Sequence, residues 1–411
     1  MSKMFQYEIK KVFSRMSSKI AILLLFLVLG VVCWFAMDVG YVNNNGEKEN
    51  GFEAVRKLRE EQKEWAGFLD EEKIKQVILE NQRISMTSQA RSNDYKQNDI
   101  AYSWKQGFQE IRDLLNYSYA DDFRSYDYYK ADSLKPGEAS SFYENRTKLL
   151  ENWLSEEEKE RFSEEEKDYL IQQYRALKTP IKYDYMRGWT QLLEYAPTVI
   201  MVVMLILGYL VAGIFASEFQ WKSDAVFFTS VYGRNKAVAA KVKAGVCIVS
   251  VVYWLVILLY SGAVLFYLGA DGAGCPVQAD MSGWKCFYNI QIWQKYLFTM
   301  VGGYIGCLFS SLLAMFISAK TKSAVLAAML PFILIFVPSF LENIQSPVIN
   351  KMIGLMPDRL LQISVVMNYF DLYSVGGKTV GAVPVLLVLY GVLTILFLPI
   401  IYQEYRHKQI S

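Results

Sequence analysis

The sequence predicts an all-α integral membrane protein with six transmembrane helices and a large helical extracellular insertion between the first and the second. Three observations carry that prediction. Of 411 residues, 53% are hydrophobic and only 20% charged, too apolar a balance for an average soluble domain. The apolar residues gather into six runs of about 20, the length that crosses a hydrocarbon core. The charges are divided unequally: residues 40–195 hold 31 of the 41 acidic and 24 of the 43 basic side chains, net −7, and the remainder is net +9.

In chain order, Phe5, Ile9, Val12, Phe13 and Met16 form an apolar stripe flanked by lysines, which predicts an amphipathic interfacial helix. The apolar runs follow at Ile20 to Val39, Pro197 to Ser217, Val246 to Ala270, Tyr296 to Ser318, Ser323 to Phe340 and Val380 to Tyr402. Pro331 and Pro338 interrupt the fifth, and only Ala319 to Lys322 separate it from the fourth, so a tight hairpin and a broken helix both fit.

Orientation follows from the basic residues. Lys3, Lys10, Lys11, Arg15 and Lys19 precede the first span, and Lys222, Arg234, Lys236, Lys241 and Lys243 separate the second from the third. Lys320 and Lys322 sit in the hairpin; Arg406 and Lys408 follow the last span. With six spans all four segments share one side, which the positive-inside rule makes the cytoplasm. The expectation is a multi-pass plasma-membrane protein with both termini cytoplasmic and residues 40–195 extracellular. Trp34, Phe35, Met37 and Asp38 close the first span without a small-residue cleavage pattern, so it reads as an uncleaved signal anchor.

The extracellular segment is long enough for a core of its own and patterned for helices. Phe52, Val55 and Leu58, then Trp65, Phe68 and Leu69, recur at helical spacing, as do Phe108, Ile111, Leu114 and Leu115, and Leu149, Leu150, Trp153 and Leu154. Ser155 and Ser163 each precede a Glu by three residues, the capping-box arrangement, and mark two helix starts. The tyrosines between Tyr117 and Tyr129 read as loop packing before contact surface.

Several chemistries are excluded. A single histidine, His407, leaves no imidazole for a triad or a zinc site. Gly376-Gly377-Lys378-Thr379 lacks the glycine of a phosphate loop, Leu372 standing in its place, so no nucleotide is expected on this chain and it carries no cofactor of its own. Gly302, Gly303 and Gly306 admit either an approaching helix or close packing within the bundle. Five cysteines build no disulfide scaffold, although Cys275 and Cys286 share an external loop that a disulfide between them would close. Asn116 and Asn145 head glycosylation sequons.

The most informative stretch runs Gly213-Ile214-Phe215-Ala216-Ser217-Glu218-Phe219-Gln220-Trp221-Lys222, then Phe227-Phe228-Thr229-Ser230-Val231-Tyr232-Gly233-Arg234-Asn235-Lys236, ending Ala240-Lys241. It resembles the membrane (permease) subunits of type-2 ABC exporters, whose second span ends in small residues and an acid before a basic cytoplasmic segment. The resemblance covers residues 1–39 and 196–411 and leaves the insertion outside it. It implies an interfacial helix before the first span, a short external re-entrant element near Ser346 to Tyr369, and a coupling loop, 218–245. In that loop Glu218, Trp221, Lys222, Arg234, Lys236 and Lys241 would serve a separate cytoplasmic ATPase subunit. The implied partners are that ATPase, which holds the ATP, a second permease subunit, identical or related, and the lipid bilayer; no nucleic acid is expected. The implied division is 1–39, 40–195 and 196–411, and the implied activity is export of a hydrophobic or peptide-like substrate by a chain that is not itself an enzyme. The competing reading is a non-transporting receptor or scaffold whose extracellular domain binds a peptide or cell-wall ligand.

Overall fold

The computed structural model describes residues 3–341 and 347–408, and Ser346, where the re-entrant element was expected to start, lies outside them. Helix α1 (Lys3–Phe13) lies against the bundle and breaks at Ser14 and Arg15 before α2 (Met16–Met37). The insertion then runs through hairpin β1–β2 (Tyr41–Val42, Lys48–Glu49), α3 (Phe52–Glu64), β3 (Gly67–Phe68), α4 (Glu71–Ser85), α5 (Tyr95–Ser103) and α6 (Gln109–Ser118). It continues through α7 (Lys130–Ser133), α8 (Phe142–Ser155), α9 (Glu164–Arg175) and β4 (Lys182–Tyr183), which pairs antiparallel with β3. The remaining helices are α10 (Arg187–Gln220), α11 (Asp224–Thr229), α12 (Val238–Leu268), α13 (Ile292–Thr321), α14 (Ala324–Leu341), α15 (Pro347–Ile353), α16 (Ile363–Val366) and α17 (Ala382–Arg406). Hairpin β5–β6 (Leu372–Val375, Lys378–Gly381) precedes α17.

Among the described residues five helices are long and apolar enough to cross a membrane: α2, α10, α12 with the turn before it, α13 and α17. Within α14 the apolar stretch Ala324–Pro338 is shorter. The fold is therefore that of a mostly helical, multi-pass membrane protein.

Helix α10 is the hub, packing on α2, α12, α13 and α14. It starts ten residues before Pro197, where hydropathy had placed the span. Proline lacks the N–H that would bond the carbonyl of Leu193, and Ser364 Oγ donates to that carbonyl instead at 3.1 Å, so the helix continues through it. Glycines set the closest approaches. A Cβ on Gly208 would lie 2.2 Å from Pro331 Cγ, and one on Gly303 would lie 2.6 Å from Tyr253 Oη. The Gly302 and Gly306 faces meet Ile363 and Leu360, so these glycines serve packing within the chain.

The insertion is not a core apart. Arg146, only 3% exposed, donates from Nε to the Trp284 carbonyl at 2.9 Å and from Nη2 to the Cys286 carbonyl at 3.0 Å. Phe123, Trp153 and Leu170 of the insertion share one apolar cluster with Phe287 and Leu372. The loop between α12 and α13 and the β5–β6 hairpin thus complete what composition had marked off as 40–195.

Local expectations divide. Ser163 caps α9 with the reciprocal Glu166 bond, at 3.3 and 3.0 Å, whereas Ser155 is the last residue of α8, because the burial of Leu150, Trp153 and Leu154 carries that helix up to it. Trp65, Phe68 and Leu69 lie beyond the end of α3, around β3. Gly376 and Gly377, at φ 59° and 77°, form the two-residue turn of the β5–β6 hairpin. Asn116 is fully buried, its Oδ1 accepting from the Ala131 N–H at 2.9 Å. All five cysteines are free thiols, so the Cys275–Cys286 bond is not formed; Cys286 Sγ donates instead to the Met367 carbonyl at 3.3 Å.

Candidate functional site

The four basic segments meet at one end of the bundle. Glu218 occupies the last turn of α10 and Lys241 the first turn of α12, which places acid and base side by side where the two helices meet the intervening loop. Lys241 is fully buried, and its ammonium donates to Glu218 Oε1 at 2.8 Å, Glu8 Oε2 at 3.1 Å and the Ile214 carbonyl at 2.8 Å, using all three of its protons. Lys11 of α1 adds a 2.6 Å bond to Glu218 Oε1. Two carboxylates and two ammoniums therefore balance within one cluster that joins α1, α10 and α12. Taking such charges out of water is costly, and the mutual hydrogen bonds offset that cost only while every member is present. Burial and the neighbouring Lys241 hold the Lys11 ammonium below the ordinary lysine pKa, with Glu218 opposing them.

A second joint is aromatic. Tyr405 near the end of α17 donates to the Phe215 carbonyl at 3.1 Å, and its ring centroid lies 4.6 Å from that of Phe215, 6.0 Å from Phe227 and 5.2 Å from Phe228. Lys322, in left-handed backbone after α13, places its ammonium 4.8 Å from the Phe219 ring centre. Lys408 donates to the Lys320 carbonyl at 2.8 Å, bringing the end of α17 to the α13–α14 hairpin.

The residues singled out from the sequence separate into four groups. Glu218 and Lys241 are buried partners. Trp221 is exposed on one face while Lys11 and Arg15 stand 4.8 and 5.4 Å from its ring centre. Arg234 turns inward: its Nη1 donates at 2.9 Å to the carbonyls of both Arg406 and Lys408, satisfying the last turn of α17. Lys222 and Lys236 remain exposed, the latter over the Tyr232 ring at 4.4 Å. Between them the loop presents apolar surface outward, with Val226 75%, Val231 91% and Tyr232 48% exposed. Gly233 closes the turn, since a Cβ there would lie 1.7 Å from the Phe227 carbonyl oxygen.

Two members escaped the sequence reading. Glu8 is the sole acid before Asp38, isolated among five basic residues, and that isolation was the available signal. Tyr405 lay beyond the last apolar run and carried none. Among the described residues no three His, Cys, Asp or Glu side chains are placed to hold a metal ion. No protein-family model, curated protein or solved structure matches the chain.

Proposed function

We propose that this chain is the membrane subunit of an ABC exporter, driven by a separate cytoplasmic ATPase that docks on the 218–245 loop. The observation that carries the reading is the pairing of opposites in that loop. Its inner side is locked to α1, α10 and α12 through Lys241, while its outer side offers Val226, Val231 and Tyr232 to a partner. A push on such a loop moves three helices together, which is what a transporter without its own motor requires.

The sixth crossing in this reading is α14. Its start adjoins the basic end through Lys322, and the helix that follows it reaches the insertion, where Lys351 pairs with Glu166 at 2.8 Å. Six crossings put both described ends with the basic residues, in the cytoplasm, and the insertion outside the plasma membrane. A second permease subunit, identical or related, completes the pathway for a hydrophobic or peptide-like substrate, and ATP is hydrolysed on the partner.

The test is a double substitution, Val231→Asp with Tyr232→Asp, which leaves the buried cluster untouched. The expected result is normal membrane insertion with loss of a co-purifying ATPase and of its ATP turnover. Unchanged ATPase recovery contradicts the docking surface, and absence of any ATPase from the wild-type protein favours the receptor reading.

A further inference from the structure

Between the insertion and the segment after α14 lies a cavity of about 1010 Å³, at the top of the 300–1,000 Å³ range usual for small-molecule sites. Its floor is aromatic. Phe123 stacks on Trp153 at 4.8 Å between ring centroids, and Phe370 lies 5.6 and 5.3 Å from those two rings. Its walls carry five cations, Arg124, Arg161, Lys285, Lys351 and Arg359, against three acids, Glu160, Glu166 and Asp371. The insertion's own lining charges cancel, Arg124 and Arg161 against Glu160 and Glu166, and the cationic surplus comes from Lys285, Lys351 and Arg359 of the segments packed on it.

Most of these charges are already engaged. Arg124 pairs with Glu158, Lys351 with Glu166 at 2.8 Å, and Arg161 stands 3.8 Å from both Glu158 and Asp371. Lys285 differs. No carboxylate among the described residues lies within ion-pair distance of it, and its ammonium is held over the rings of Tyr117 at 4.6 Å and Phe123 at 5.4 Å. Half-buried and surrounded by rings, it is a cation set at the boundary between the polar wall and the aromatic floor.

One lip of the cavity, Asn350 to Gly354, belongs to α15 and the residue after it, where the chain leaves the apolar bundle. The same helix turns apolar side chains outward: Met352 is 67% exposed and Ile349 38%. The mouth therefore adjoins an exposed apolar patch.

We infer that this cavity binds an anionic amphiphile, with its carboxylate or phosphate head at Lys285 and its hydrocarbon chain on Phe123, Trp153 and Phe370. Charge complementarity selects the head, the aromatic floor selects the chain, and the apolar lip gives access from the bilayer. The site rests on the fold and on the chain's place in a membrane, and it stands whether or not the loop at the other end docks a motor.

Full-length protein in a neutral detergent, titrated with 9,10-dibromostearate, tests this, because the bromines quench a tryptophan they touch. The expected result is a saturable quench that Trp153→Phe removes. Lys285→Gln should weaken the apparent affinity at least tenfold, and Lys285→Arg should restore it. Lys351→Gln, at an exposed position, should weaken it severalfold and decides the matter if Lys285→Gln fails to fold. Dibromostearate methyl ester should give only a non-saturating quench. Saturation by the ester, or wild-type affinity in folded Lys285→Gln or Lys351→Gln, overturns the proposal. Displacement by inorganic phosphate alone would make it a simple anion site, and displacement by a soluble poly-glutamate peptide would make the ligand a peptide; either overturns the amphiphile.

Discussion

At the basic end of the bundle, segments more than 200 residues apart are joined by charge: Lys241 bonds Glu8 and Glu218, and Lys11 bonds Glu218. At the opposite end the insertion is joined by a shared apolar cluster and by Arg146 reaching two main-chain carbonyls. The difference is one of tolerance. A buried ion cluster holds its helices only as a balanced set, since removing one member strands a charge of the opposite sign. An apolar joint degrades by increments, each lost contact costing its own share. The proposed coupling of the 218–245 loop to a motor would gain from the first kind of joint.

That contrast can be broken most severely at Lys241. Lys241→Met leaves Glu8 and Glu218 buried without their shared cation, which should cost about 3–5 kcal/mol and sharply lower the folded yield and the thermal midpoint. Adding Glu8→Gln to the same chain, which leaves the Lys11–Glu218 pair balanced, should recover much of the loss. If Lys241→Met melts with the wild type, the cluster is not structural.

The second effect is at the other joint. Arg146→Ala removes the donor to the Trp284 carbonyl and should cost about 1–3 kcal/mol, read as faster proteolysis in the 156–163 turn with the basic end unchanged. In the same sense residues 40–186 expressed alone should be helical yet lack a cooperative thermal transition, because Phe287 and Leu372 are missing from their core. A cooperative transition in the isolated segment would show that the insertion folds by itself, as its composition had suggested.

Smaller effects sharpen the packing account between the two ends. Gly208→Ala sets a Cβ 2.2 Å from Pro331 Cγ and should cost about 1–3 kcal/mol through displacement of α14 from α10. Ser364→Ala leaves the Leu193 carbonyl without a donor, at a cost of about 1 kcal/mol in thermal stability; an unchanged midpoint would mean the proline is accommodated another way.

Much of this was legible in the sequence, and the exceptions share a cause. Hydropathy located the helices of the bundle because each run is apolar over its own length. It set the start of the second run at Pro197 because Glu194 interrupts the apolar residues there, whereas the helix reaches back to Arg187, with Ser364, 167 residues beyond Pro197, bonding the carbonyl the proline leaves free. Glu218 and Lys241 stood out as the acid and base flanking one loop, but Glu8 completes their cluster from another segment. Arg234 stood out as a loop cation, but the carbonyls it bonds, those of Arg406, the last residue of α17, and Lys408 just beyond it, come from another segment. Ser155 and Ser163 carry the same local pattern; tertiary burial of Leu150, Trp153 and Leu154 decides that only the second begins a helix. Local pattern found the elements, and partners distant in the chain decided what each residue does.

The most direct measurement of the central claim places a photo-crosslinking amino acid at Val231, which is 91% exposed on the loop, and at Tyr95, which is 86% exposed on the insertion. Irradiated in the native cell, the Val231 position should yield an adduct with a cytoplasmic ATPase bearing a phosphate-binding loop, and the Tyr95 position should not. An ATPase adduct at Tyr95, or adducts at Val231 that contain only lipid or extracellular protein, would contradict the account.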